Sequence, residues 1–374
     1  MKIGAESVQG AGMLLQIADA RRQQRLRILY LVGGLFVAHQ LLELLIALIA
    51  HHPFLGTCHW DCHWYVGIAQ DGYAAAAVTE NHQTNWAFFP LFPLLVAAVK
   101  AATAMPYALA AVILGKILFL FAIYAFIEFA GRYSEGLSPV FAGLVVALNP
   151  YAIYGNAGYT EPLFLLLTCV FYILLKDRRY LACGLVGALL SASRVPGILV
   201  VLPYAIVVAE HFSAADRDRR MEMLLGGCLI PLGLALYMLH LYHVTGDALA
   251  FVHVQKAWGR PLGNPLLVIA AGFAKGNIHL VWAAMSLLAL LASLYLIYRR
   301  RLALGVFSLC STLIPLSTGL QSMPRYLWWQ APLLLVLAGI IGRNRLARAV
   351  LLPVFLLGLV YMYIAWMAVK SWTV

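Results

Sequence analysis

The chain has 374 residues, of which 63% are hydrophobic and only 11% are charged, and its net charge is +11. Soluble domains carry about 25% charged residues, so this composition excludes a soluble enzyme or binding module. It predicts a polytopic membrane protein that forms one domain over residues 1–374. The positive charge does not indicate nucleic-acid binding, because the Lys and Arg residues come in short clusters between apolar runs.

The apolar runs predict an all-α bundle of about 11 transmembrane helices, within a range of roughly 9 to 13. The first run, Leu26–Ala50, is too long for a signal peptide and is expected to be retained as a helix. The run 88–103 contains two prolines and is expected to re-enter or lie in the interface without crossing. The expected crossings are 27–50, 106–130, 138–154, 161–175, 180–192, 197–210, 222–243, 265–297, 303–319, 326–341 and 349–369.

Five clusters of basic residues predict the orientation of this bundle, because Lys and Arg accumulate on the cytoplasmic side. Between Arg27 and Lys100 the chain has no Lys or Arg, so the first outer loop, 51–85, is expected on the opposite side. The clusters are Arg21/Arg22/Arg25/Arg27, Lys176/Arg178/Arg179, Arg217/Arg219/Arg220, Arg299/Arg300/Arg301 and Arg343/Arg345/Arg348.

The connections that lack such clusters should meet on the outer face, and they are rich in charged and aromatic residues. They are 51–85, 149–162, 193–197, 244–265 and 320–326. Polar and charged residues gathered at one face of a membrane protein are typical of a functional site. The sequence therefore predicts a site on the outer face.

The residue types on these connections indicate the ligand. Asp61 and Glu161 are the main carboxylates, and Asp71, Glu80 and Asp247 are others. Isolated Lys and Arg residues on the outer side, where the orientation rule does not expect them, suggest an anionic ligand. The planar guanidinium of Arg suits phosphate because it can bind two oxygens at once. Aromatic rings can stack on a sugar. A carboxylate base with cations in a bilayer points to a lipid-linked phosphosugar. The cations are Arg325, Arg194, Arg260 and Lys256, in order of preference, and the aromatic candidates are Trp60, Tyr159 and Tyr326.

Each feature also has a simpler interpretation. Asp61 could cap a helix that runs to about Gln70. Trp60 and Trp64 could share one helix face in an interfacial belt. Glu161 could simply favour the start of a helix through the helix dipole. The four cations could bind lipid headgroups or anchor the chain at the interface.

Cysteine and histidine pairs surround Asp61. Cys58 and Cys62 are four residues apart, as are His59 and His63. On a helix such pairs could bind zinc, and the two thiols could form a disulfide if the segment is not a regular helix. The interpretation we favour is that these side chains are free and pack around Asp61. The other four cysteines lie in apolar runs and are expected to be buried.

Some ionisable residues lie deep within apolar runs. His39 and Glu43 are one turn apart in the first helix and are expected to pair, and Lys116 lies in the run 106–130. Such residues usually face a polar interior, so Lys116 is a possible partner for Glu43.

Five motifs resemble the GPI mannosyltransferase II family, the PIG-V-like proteins, and the last two of them resemble segments of its bacterial members. The stretch HWDCHWYVGIAQDGY with NWAFFPLFPLL resembles the family's first outer loop. The segments NPYAIYGNAGYTEPLFLLL, SASRVPGILVVLP, GDALAFVHVQKAWGRPL and QSMPRYLWW follow in the family's order. The resemblance covers roughly residues 57–335.

The resemblance implies a GT-C glycosyltransferase, which is a multi-helix membrane enzyme with its active site on the periplasmic or lumenal side. The donor would be a polyprenyl-phosphate sugar, most often mannose, and the acceptor a hydroxyl of a lipid, glycan or protein. The family's catalytic base, an acidic residue of the first outer loop, corresponds to Asp61. Transfer would invert the anomeric centre.

The cations listed above would then hold the leaving phosphate, and Glu161 would orient the sugar or a cation. The chain has no nucleotide-binding motif, so we expect a lipid donor, no cofactor, no obligatory metal and no nucleic-acid partner. The expected location is the bacterial inner membrane, or the endoplasmic reticulum membrane in a eukaryote. The alternative function is a flippase or transporter of a lipid-linked or anionic solute.

Overall fold

The computed structural model describes residues 3–76 and 83–373, and for residues 3–18, 20 and 21 it describes the backbone alone. Within these residues the chain is helical and forms no strand, as the composition predicts. The helices are α1 (Ile3–Ile49), α2 (Asp61–Asp71), α3 (Leu91–Thr103), α4 (Tyr107–Tyr133), α5 (Pro139–Leu148), α6 (Glu161–Lys176), α7 (Tyr180–Ser191), α8 (Val201–Phe212), α9 (Arg217–Leu229), α10 (Leu232–Thr245), α11 (Ala250–His253), α12 (Pro265–Lys275), α13 (Asn277–Tyr298), α14 (Leu302–Leu316), α15 (Met323–Leu327), α16 (Ala331–Arg343) and α17 (Arg345–Met367).

Six helical segments of the described chain are long and apolar enough to cross a membrane. They are Arg22–Ile49, Tyr107–Tyr133, Val195–Phe212, Arg217–Thr245, Asn277–Tyr298 and Arg345–Met367. Six further apolar helices have 10–17 residues, which is shorter than the roughly 20 residues that a single crossing needs. The all-helical membrane architecture is therefore confirmed, whereas the expected count of about 11 crossings stays a prediction.

Several predicted runs differ from the helices that form, and 265–297 and 88–103 are examples. The run 265–297 is divided into α12 and α13 at Gly276, whose φ is 69° and whose successor Asn277 also has a positive φ of 49°. A glycine in an apolar run adopts this backbone conformation readily, and it ends α12. The run 88–103 forms α3, which has 13 residues and is about 20 Å long. Its expected failure to cross stays a prediction.

Helix α4 is the central helix of the bundle. Of its most apolar window 72% is buried, against 22–39% for the other five spans. It packs against α1, α5 and α6, and its Gly115 lies directly below the loop at Gly155 and Gly158. The loop between α5 and α6 is therefore supported from within the bundle.

A buried polar network joins α1, α4 and that loop. Lys116 Nζ lies 2.5 Å from Glu43 Oε2 and donates to Gln40 Oε1 at 2.7 Å. Asn156 donates to both Glu43 Oε2 and the Tyr363 hydroxyl at 2.7 Å. The suggested Glu43–Lys116 pair is thus present.

The expected pairing of His39 with Glu43 is wrong. His39 instead contacts the Ala147 carbonyl and the Tyr363 hydroxyl, each at 2.7 Å. The reason is that these two contacts use both ring nitrogens of His39, so neither nitrogen is left for Glu43.

Candidate active site

The loop before α2 is closed by a disulfide. Cys58 and Cys62 are bonded, so the favoured interpretation of free cysteine side chains is wrong. The physical reason is that α2 begins at Asp61, which leaves Cys58 in an irregular segment whose backbone can bring the two sulfurs together. For the same reason Trp60 precedes the helix, and the expected shared helix face of Trp60 and Trp64 is also wrong.

Tyr159 anchors this loop from the α5–α6 connection. The Asp61 amide donates to the Tyr159 hydroxyl at 3.1 Å, and that hydroxyl donates to the His59 carbonyl at 3.3 Å. Tyr159 is fully buried. It therefore holds the backbone around Asp61 and does not lie open to a ligand.

Asp61 forms an ion pair with Arg325. Its Oδ2 lies 2.7 Å from Arg325 Nη1, although the two residues are 264 positions apart in the sequence. The predicted helix is confirmed as α2, which runs from Asp61 to Asp71, but the residue at its N-cap is Trp60 and not Asp61. The capping interpretation is therefore wrong, and so is the idea that Arg325 is an interfacial anchor, because its side chain is 6% exposed.

Glu161 joins Arg325 to a second arginine. Glu161 Oε1 lies 2.7 Å from Arg194 Nη1 and 3.2 Å from Arg325 Nε. The second contact is ionic but lacks hydrogen-bond geometry, which leaves the Arg325 Nε–H without a hydrogen-bond acceptor. Glu161 lies in the first turn of α6, which confirms its predicted place at a helix start, and it is buried. Arg194 thus binds a carboxylate and does not extend to headgroups.

Tyr326 lies among three guanidinium groups. Its hydroxyl accepts hydrogen bonds from Arg260 Nη1 at 3.2 Å and Arg325 Nη2 at 3.3 Å, and the Arg194 guanidinium lies 5.0 Å from its ring centroid. Burial would raise the pKa of Tyr326, but the three neighbouring cations outweigh burial and lower this pKa to about 7. Positive charge is therefore concentrated around this hydroxyl.

The cluster has an excess of positive charge. Three arginines face two carboxylates, so with Tyr326 protonated the group carries one net positive charge; its members are Asp61, Glu161, Arg194, Arg260, Arg325 and Tyr326. Buried or half-buried charges without a full complement of counter-ions favour binding of an ion of opposite sign. An anion with one negative charge would balance this cluster.

Some predicted residues lie outside the cluster. Lys256 is exposed, and no contact within the described chain links it to the cluster. Asp247 pairs with His253 at the surface, and Asp71 is exposed at the far end of α2. Trp60 is half-buried and its Nε1 has no hydrogen-bond partner. Glu80 lies outside the described residues.

Sequence reasoning missed two residues that line the cluster. Tyr154 lies under Arg325, whose guanidinium is 5.6 Å from the Tyr154 ring centroid and 5.3 Å from that of Tyr159. Ser322 accepts a hydrogen bond from Arg260 Nη2 at 3.3 Å. Tyr154 belongs to the same aromatic segment as Tyr159, so the repeated tyrosines of that segment were an available signal.

No group of three or more His, Cys, Asp and Glu side chains in the described ranges is arranged to hold a metal ion. The two cysteines of the zinc hypothesis form the disulfide.

The family model for the PIG-V mannosyltransferases matches residues 36–232, which is more than half of the chain. The chain belongs to the PIG-V mannosyltransferase family. It is therefore a glycosyltransferase of the mannosyltransferase kind, and its apolar helices make it an integral membrane protein. A comparison with curated proteins gives no match.

The matched range includes part of the cluster. Asp61, Glu161 and Arg194 lie within it, whereas Arg260 and Arg325 lie beyond its end. The ion pairs described above connect the two parts, so the second part of the chain completes a site whose first part belongs to the matched family region.

Proposed function

We propose that the enzyme transfers mannose from a polyprenyl-phosphate donor to an acceptor hydroxyl, with inversion at the anomeric carbon and Asp61 as the general base. The observation that carries this proposal is the ion pair between Asp61 and Arg325 within a cluster of one net positive charge. The reaction needs a base for the acceptor hydroxyl and cations for the leaving phosphate within one site, and this cluster holds both kinds of group.

The charge of the cluster supports a lipid phosphate donor. A polyprenyl-phosphate sugar is a phosphodiester with one negative charge, and the cluster has an excess of one positive charge. Arg194, Arg260 and Arg325 offer forked donors that suit phosphate oxygens. Arg194 and Arg260 are half-buried, so a ligand can reach them. The phosphate would displace their contacts with Tyr326.

The base and the phosphate site would be coupled through Arg325. As the acceptor oxygen bonds to the anomeric carbon, its proton passes to Asp61 and the bond to the phosphate oxygen breaks with its electron pair. Neutral Asp61 then attracts Arg325 less strongly. The departing phosphate gains a second negative charge at the same moment, and Arg325 becomes free to stabilise it.

Glu161 would act on the cations and not on the acceptor. Its side chain is 1% exposed and contacts both Arg194 and Arg325. A carboxylate so enclosed cannot reach an acceptor hydroxyl, whereas the Asp61 side chain is 14% exposed. Glu161 therefore holds two arginines in place for the phosphate, and Asp61 is the carboxylate that acts as base.

We place the site on the outer side of the membrane. The segment between Arg27 and Lys100 has no Lys or Arg, which favours an outer position for the first loop. The disulfide in that loop supports the same side, because disulfides persist in oxidising compartments.

The test is a transfer assay with purified enzyme in nanodiscs. Polyprenyl-phosphate mannose labelled in the sugar is supplied with a membrane extract as the acceptor pool, and a nucleotide-linked mannose is the matched control donor. We expect label to enter a new product only from the lipid donor, and the product to have the opposite anomeric configuration by NMR. Transfer from the nucleotide sugar would contradict the proposal, and so would donor that crosses the bilayer unchanged when the enzyme is reconstituted in sealed liposomes.

A further inference from the structure

The disulfide acts on a very short segment of chain. It joins residues that are four positions apart, and Asp61 lies between them. The stabilisation that a disulfide gives to a whole fold grows with the length of the loop that it closes. A loop this short contributes little to global stability, so the effect of the bond is local to the backbone around Asp61.

Trp60 adopts a backbone conformation that suits glycine. Its φ is 53° and its ψ is −117°, and the Cys62 amide donates to the His59 carbonyl at 3.1 Å across it. Glycine predominates at this position of a type II′ turn because a Cβ is unfavourable there. Such a conformation persists only where its surroundings impose it. The disulfide spans this turn and supplies that constraint.

The remaining contacts of the loop fit the bonded form. Cys62 is fully buried against Gly158, where a Cβ would lie 2.7 Å from the Cys62 sulfur. Next to Cys58, the Thr57 hydroxyl donates to the Asn156 carbonyl at 2.6 Å, and Trp366 Nε1 donates to the Thr57 carbonyl at 3.0 Å. The two ends of the disulfide loop are thus fixed to the bundle, and the Trp60 turn between them is held by the Tyr159 hydroxyl and by the bond.

We propose that the Cys58–Cys62 disulfide is a positioning element for catalysis, which holds the Trp60 turn so that the Asp61 carboxylate meets Arg325. This inference rests on the role proposed above for Asp61. A dithiol that reduces the bond delivers two electrons and two protons, yields two thiols and becomes a cyclic disulfide itself. The turn then relaxes, Asp61 leaves its place, and transfer slows. The enzyme is fully active only while this bond is oxidised.

The first test replaces both cysteines in the full-length enzyme, as Cys58→Ser with Cys62→Ser. We expect kcat to fall roughly 10- to 100-fold, since a displacement of about 1 Å can cost about 100-fold. The KM for the donor should change less than about threefold, because Glu161 holds Arg194 and Arg325 independently of the loop. The matched control replaces the free cysteines Cys228 and Cys310 by serine and should leave kcat unchanged.

A double-mutant cycle with Trp60→Gly separates positioning from general stability. Glycine forms the turn without strain, so loss of the disulfide should then lower kcat less than about fivefold. Both variants with glycine at position 60 lack the Trp60 side chain, so the effect of that loss on kcat cancels when they are compared with each other. If the serine pair lowers kcat equally with tryptophan and with glycine at position 60, the bond does not act through the turn and the proposal is overturned.

Wild-type enzyme provides a test that does not depend on the folding of a variant. The enzyme is reduced with a dithiol, alkylated in a small sample for mass spectrometry, and then reoxidised. We expect kcat to fall as thiols appear at Cys58 and Cys62 and to return as they disappear. Two free thiols in fully active enzyme would overturn the proposal.

Asp61→Asn, measured beside the serine pair, distinguishes this inference from the proposed function. If Asp61→Asn loses activity and the serine pair keeps it, Asp61 remains the base and the positioning role fails. If Asp61→Asn keeps its activity, the proposed function fails, and the positioning role, which depends on it, fails with it.

Discussion

Opposite charges meet at two places in the bundle, and the two places differ in balance and access. The pair of Glu43 and Lys116 is enclosed, with side-chain exposures of 0% and 10%, and its charges cancel. The cluster around Arg325 has three cations for two carboxylates, and Asp61 and Arg194 are each 14% exposed. Both places contain a carboxylate oxygen without a hydrogen-bond partner, Glu43 Oε1 and Glu161 Oε2, so this feature does not distinguish them. The feature that distinguishes the cluster around Arg325 is its excess charge within reach of a ligand.

The comparison predicts that the inner pair matters for stability and the outer cluster for catalysis. The largest expected effect is that of Lys116→Met, which leaves Glu43 buried without its cation and should destabilise the protein by about 3 kcal/mol. The pair of changes Glu43→Gln with Lys116→Met should restore most of this loss, because no unpaired charge remains. Thermal unfolding in detergent measures both. A stable single variant that lacks activity would place the inner pair in the catalytic site.

Arg325→Lys should have the next largest effect. A lysine keeps the charge but cannot contact Asp61, Glu161 and a phosphate with one planar fork. We expect kcat/KM to fall on the order of 100-fold, as for the loss of one donor to a developing negative charge. Steady-state kinetics measure this, and unfolding should show a smaller change than that of Lys116→Met. A variant with full kcat/KM would mean that Arg325 only neutralises Asp61.

Arg260→Gln should weaken donor binding and leave the base in place. Arg260 contacts Tyr326 and Ser322 but no carboxylate of the cluster. We expect the donor KM to rise about tenfold, in the range of one charge-assisted hydrogen bond, with kcat little changed. Lys256→Gln is the matched control, four residues away and exposed. An equal rise for Lys256→Gln would assign donor binding to the surface charge of the loop.

Tyr326 should make donor binding depend on pH. With its pKa at about 7, the phenol is neutral below pH 7 and becomes a phenolate above it. The phenolate cancels the excess positive charge, so the donor KM should rise by up to about tenfold between pH 7 and pH 8. Tyr326→Phe should keep the low KM across this range. A wild-type KM that is constant from pH 6 to pH 8 would contradict this role.

The sequence predicted the members of the cluster better than their pairing. Arg194, Arg260 and Arg325 stood out because isolated cations on the outer side are unusual, and Asp61 and Glu161 because carboxylates accompany them. The pairing of Asp61 with Arg325 depends on a fold that brings together residues 264 positions apart, which no local pattern specifies. Arg260 and Lys256 are equally basic in the sequence, and only the fold distinguishes them.

Local backbone geometry explains two wrong predictions, the free cysteines of the first outer loop and the unbroken run 265–297. The free-cysteine interpretation assumed packing around Asp61, but the Trp60 turn delays the start of α2 and brings Cys58 to Cys62. A positive φ at tryptophan has no signal in the sequence. Gly276 was visible in the run 265–297, but glycines also occur within transmembrane helices, so it did not predict a break.

The central claim is that Asp61 is the base, and Asp61→Asn tests it most directly. The matched control is Asp71→Asn, which removes an exposed carboxylate from the other end of the same helix. The account predicts that Asp61→Asn lowers kcat for mannosyl transfer about 100-fold or more, as expected for loss of a general base, with Asp71→Asn unchanged. Equal transfer by wild type and both variants would contradict it.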